Sequence, residues 1–136
     1  MDNQSSIQFY PVRGDSMHPL IREGDVVKVR TGPGEFKRAD VMLYRSCGRI
    51  YCHRVVRKTD HPSSGYLLQC DNHPGHLLFV SYDNVIGRAV VFGRGTKFAS
   101  LDRGLYRFFG EFIVFIGLYM RWLPNVARSI KRLVFR

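Results

Sequence analysis

What most constrains this chain is a succession of short, proline-free runs rich in Val, Ile, Leu and Tyr, each closed by turn-forming residues. The runs are Asp25–Arg30, Asp40–Arg45, Ile50–Arg57, Tyr66–Cys70, Leu77–Ser81 and Val85–Phe92. Between them lie Thr31-Gly-Pro-Gly, Ser46-Cys-Gly, Asp60-His-Pro-Ser-Ser-Gly and Asp71-Asn-His-Pro-Gly. β-branched and aromatic side chains favour strands, and Gly, Pro, Asn and Asp supply the backbone angles of tight turns. Residues 1–95 therefore read as one mainly β domain, a small and partly closed antiparallel barrel. A length of 136 residues leaves room for a single core and little more.

Beyond residue 95 the character changes. Residues 105–123 are strongly apolar but include Arg107, Glu111 and Arg121, and Pro124 interrupts the run before a basic stretch, 125–136. In that stretch Val126, Ile130, Leu133 and Val134 share a helical face, with Arg128, Lys131, Arg132 and Arg136 largely elsewhere. Residues 96–136 are thus expected to form a helical extension, with 104–136 as two helices or a helical hairpin. The net charge of +10 is uneven. Residues 97–136 carry 8 Lys/Arg against 2 Asp/Glu, a balance of +6 that calls for an anionic partner. For residues 105–123 three readings stand open: an anchor lying in a membrane interface, a spanning helix, or a helix docked on the β domain or on a second copy.

Chemistry concentrates in Arg13-Gly-Asp-Ser-Met-His-Pro-Leu-Ile-Arg-Glu-Gly-Asp-Val-Val. This stretch resembles the nucleophile box of the clan of signal peptidases and self-cleaving repressors, with Ser16, Met17, Pro19, Gly24, Asp25 and Val27 at the patterned positions. Four further blocks follow in that clan's order. Arg38-Ala-Asp-Val-Met-Leu-Tyr resembles its second strand, Tyr51-Cys-His-Arg-Val-Val the segment that carries the base, and Tyr66-Leu-Leu-Gln-Cys-Asp-Asn a later Gly-Asp-Asn block. Asn84-Val-Ile-Gly-Arg-Ala-Val-Val resembles the closing strand. The likeness covers about residues 8–95 and is nearest to the archaeal and endoplasmic-reticulum signal peptidases, whose base is His rather than Lys.

The resemblance implies a serine endopeptidase that removes a leader or signal-like segment from a precursor, with Ser16 as nucleophile and His53 as general base. A serine hydroxyl needs a neighbouring base at neutral pH, and an imidazole of ordinary pKa about 6.5 is mostly neutral there. Such a base needs less burial than a lysine would. For the group that orients it, Asp71 is the first choice, with Asp83 or no residue as alternatives. Two departures from the pattern are Gly14, where many relatives carry a serine that assists the oxyanion hole, and Leu77, where the endoplasmic-reticulum type has an Asp. They leave open an inactive peptide-binding module on the same fold, and the basic tail leaves open a binder of nucleic acid or of a membrane surface.

No cofactor or metal is expected. Cys47, Cys52, Cys70, His73 and His76 are loosely spaced like zinc ligands, but Cys52 and His53 would leave one strand on opposite faces. Three cysteines do not make a disulfide framework, and residues 1–7 lack the apolar core of an export signal. A cytoplasmic site is the expectation, peripheral at the inner face of the membrane. The expected partners are a precursor peptide, a membrane surface reached through residues 105–136, and a second copy paired through the C-terminal helices. Nucleic acid is not expected.

Overall fold

A computed structural model of the chain describes residues 6–14, 17–18, 20–32, 35–60, 63–73, 75–101 and 104–134, with helical side chains as far as residue 119. Eight strands form one antiparallel sheet that does not close: β1 (Ile7–Pro11), β2 (Val26–Thr31), β3 (Val41–Ser46), β4 (Arg49–Thr59), β5 (Gly65–Gln69), β6 (Leu77–Ser81), β7 (Val85–Arg94) and β8 (Lys97–Ser100). Their order is β1-β2-β7-β3-β4-β5-β6, with β8 against β7. All six strands expected from composition are present. Two further strands are β1, which carries Pro11, and β8, which is four residues long, half polar and inside the extension expected to be helical; each is placed by its pairing with a longer neighbour.

The β3–β4 hairpin sets the register that matters most. Its two loop residues, Cys47 (φ 51°) and Gly48 (φ 76°), both lie in the left-handed region, so the turn is of the primed type that matches strand twist. Ser46 then faces Arg49, Leu43 faces Cys52 and Met42 faces His53. A slip of one residue would exchange every side chain between the two faces.

The central strands are buried on both faces. Val41 and Leu43 of β3 join Val27, Val29, Ala89, Phe92, Met17 and Ile21 in one apolar cluster. Met42 and Tyr44, the alternate residues, join Val55, Tyr66, Leu68 and Val80 in another. Burying each such aliphatic side chain contributes about 1.5–3 kcal/mol.

One helix, α1 (Gly104–Val134), follows the sheet. The expected break at Pro124 is absent: the helix is continuous through that position. Proline forfeits one backbone bond at a cost of about 3 kcal/mol, whereas extending an established helix is cooperative. The first turns of α1 are fastened to the domain. Val114 packs with Ala39 and Val56. Arg107 Nη1 donates to Asp40 Oδ1 at 2.5 Å, and Arg38 Nε to Glu111 Oε2 at 3.0 Å. The buried Gln69 Nε2 donates to the Ile113 carbonyl at 3.0 Å. Two glycines permit this approach, since a Cβ on Gly110 would strike the Arg54 guanidinium and one on Gly117 the Gln69 amide.

Candidate active site

The segment between β1 and β2 is tied back on itself. Val12 N–H donates to the Asp25 carbonyl at 2.8 Å and Gly24 N–H to the Val12 carbonyl at 3.2 Å, while Ile21 N–H donates to the Met17 carbonyl at 3.1 Å. Asp25 closes the segment: its carboxylate accepts from Arg22 N–H at 2.9 Å and from Arg94 Nε at 3.2 Å. Gly24, at φ 92°, makes the turn that L side chains avoid. The side chain of Met17, 1% exposed, anchors the segment in the first apolar cluster. Asp15 and Ser16 lie outside the described residues, as does Pro19.

Beside this segment opens a cleft of about 690 Å³. Residues 10–14 form one wall, Met17, Val27 and Leu43 the floor, and residues 48–52 at the start of β4 the other wall. β4 is paired with β3 from Arg49 to Arg54, but its ladder with β5 begins only at Arg54. Residues 49–53 therefore have a strand on one side alone. That half-edge, next to a mostly apolar floor, has the form that takes up an extended peptide by strand addition.

His53 follows directly on the wall. Cys52 points toward the cluster that holds Met17, whereas the imidazole of His53 leaves the other face and stacks on Tyr44 and Tyr51, with ring centroids 5.4 and 6.4 Å away. His53 Nδ1 lies 2.6 Å from the Tyr44 hydroxyl. The ring is 8% exposed, and burial lowers its pKa from 6.5 to about 4. The expectation of a lightly buried base is thus corrected: β4 carries His53 into burial against two tyrosines. Burial, followed by Cys70, Tyr51 and Cys52, pushes the Tyr44 phenol above its ordinary value. Burial likewise raises the Cys52 thiol to about 12, so the cysteine in the cleft wall is neutral and not a nucleophile.

Asp71 occupies a different position from the one expected of a group that orients the base. Its carboxylate receives both arms of Arg54, Nε to Oδ1 at 2.8 Å and Nη2 to Oδ2 at 2.7 Å, and both side chains are almost wholly buried. Arg54 Nη1 also donates to the carbonyl of Ala39, a residue held at φ 73°. Since Arg54 and His53 leave β4 on opposite faces, an acid that pairs with one is turned away from the other. Asp83 is exposed on the 3-10 turn Tyr82–Asn84. Tyr44 was not singled out in the sequence. Its position opposite Tyr51 in a β3–β4 ladder, two steps from the Met42–His53 pair and so on the same face, was the available signal. Among the described residues no three His, Cys, Asp or Glu side chains converge as a metal site.

The unclosed sheet leaves a cleft of peptide size beside the segment that joins β1 to β2. The chain belongs to the Peptidase S24-like family, whose sequence profile matches residues 1–90, and so to the serine peptidase clan. No curated protein matches the chain. No solved structure matches it either.

Proposed function

We propose that this protein is an endopeptidase of the Ser/His type that removes a leader or signal-like segment from a precursor. The observation that carries this reading is the cleft itself, which lies between residues 10–14, just before Ser16, and residues 48–52, just before His53 on the half-open edge of β4. A precursor in extended form adds to residues 49–53, its alternate side chains entering the apolar floor. Ser16 Oγ attacks the scissile carbonyl carbon and passes its proton to Nε2 of His53, and the tetrahedral intermediate collapses as that proton moves to the leaving amine. Water then cleaves the acyl-enzyme with the imidazole again as base. The orienting partner is Tyr44 rather than Asp71: accepting from Nδ1–H, the phenol oxygen leaves Nε2 unprotonated. Kinship with the His-containing signal peptidases rests on the His53-Arg-Val run.

The test is digestion of a peptide library, read by mass spectrometry. Defined cuts are expected from the native protein and none from Ser16→Ala. Cuts of undiminished yield by Ser16→Ala remove the assignment.

A second reading is favoured by one observation, the imidazole on the face of β4 away from Met17. It makes the protein a peptide-binding module without catalysis. Peptides recovered intact from the native protein, in a complex unchanged by His53→Ala, would establish it.

A further inference from the structure

The helix α1 has two unlike faces. Gly110, Val114 and Gly117 meet the sheet, whereas Leu105, Phe108, Phe112, Phe115 and Tyr119 are 82%, 70%, 49%, 66% and 52% exposed. Their spacing alternates three and four residues, so they form one continuous stripe along the side opposite the docked one. Isolated exposed apolar residues are ordinary, but a file of five large ones on a single helix is a surface that binds something apolar. In the sequence the same spacing continues through Trp122 and Val126.

Charge decides the partner. Residues 120–136 contain five Arg/Lys and no acid, and residues 97–136 balance at +6. Pairing two copies through the stripe would bring +6 against +6. A nucleic acid would satisfy the arginines and leave the aromatic stripe in water. An anionic bilayer satisfies both, with rings among the acyl chains and basic groups at the headgroups. No helix among the described residues is long and apolar enough to cross a membrane.

We infer that α1 is an interfacial anchor that lays this protein on anionic membranes, with the stripe from Leu105 to Tyr119 buried in the headgroup boundary. Since Arg107 and Glu111 lock the same helix to Asp40 and Arg38, the β domain is carried rigidly with it. The inference does not depend on the proposed peptidase activity.

The experiment is co-sedimentation of the full chain with phosphatidylcholine vesicles, with and without phosphatidylglycerol. Binding to the anionic vesicles is expected to be at least about ten-fold tighter than to the neutral ones and to weaken as salt rises. The triple variant Phe108→Gln, Phe112→Gln, Phe115→Gln should lose at least about ten-fold of that binding with its circular dichroism and melting unchanged, because the three rings are exposed. Failure of the native chain to sediment with anionic vesicles overturns the inference, as does undiminished binding by the triple variant. So does a dimer in sedimentation equilibrium that the variant abolishes, or duplex DNA binding, without vesicle binding, that the variant retains.

Discussion

The Tyr44 hydroxyl stands 2.6 Å from Nδ1 of His53, with the two rings stacked at an interplanar angle of 28°. A ring nitrogen held in this way fixes which tautomer the other nitrogen presents. The contact is a diagonal one between ladder pairs two positions apart on one face of β3 and β4, so the hairpin that sets strand register also sets which hydroxyl meets Nδ1.

Removing that hydroxyl while keeping the ring isolates its role. Tyr44→Phe is expected to lower kcat/KM by roughly 10–100-fold, a share of what a positioned base supplies. Nitrogen-15 spectra of the imidazole should show Nδ1–H in the native protein and a mixture of tautomers in the variant. Nε2–H in the native protein would end the positioning role of Tyr44 without touching that of Ser16.

The His53 pKa of about 4 gives two pH dependences of opposite use. For catalysis, only the neutral ring accepts a proton, so kcat/KM should hold on acidification past pH 6.5 and fall near about pH 4. For stability, the unfolded chain binds the proton at about 6.5 and the folded one only near 4. Between those values the unfolded state carries more protons, so stability rises with pH and is complete above about 6.5. The contribution is at most about 3 kcal/mol. Denaturant melts of native protein and His53→Gln at pH 4.5 and 7.5 should show this slope in the native protein and lose it in the variant.

Asp71 and Arg54 provide a contrast between support and chemistry. Asp71→Asn leaves a buried guanidinium without its counter-charge and is expected to destabilise by about 3–5 kcal/mol. The pair Arg54→Met with Asp71→Leu should recover much of that loss. Thermal melts measure both. A normal melt for Asp71→Asn with a displaced pH–rate profile would instead restore Asp71 to the machinery.

The turn at Cys47–Gly48 offers a local check of register. Gly48→Val places a β-branched residue at φ 76° and should cost on the order of 1–2 kcal/mol. Cys47→Asn substitutes a residue at ease in the left-handed region and should add a few tenths of a kcal/mol. Urea midpoints read both effects.

Alternating apolar runs and turn residues located six strands, and the Ser16 and His53 blocks stand out through their resemblance to the clan of signal peptidases and self-cleaving repressors. Partnership was not legible. The sequence offers Asp71 as the partner of His53 and does not single out Tyr44; only the folded chain pairs Asp71 with Arg54 and stacks Tyr44 on the imidazole.

By itself the sequence determined the β character, the turns, the uneven charge and the aromatic period of α1, since each follows from local backbone preference or spacing. Only the tertiary structure decided how buried His53 is, which carboxylate went to which cation, and which side of α1 met the sheet. Those outcomes depend on strand register and on packing between distant segments, where a change of one residue in pairing would reverse the environment of every group involved.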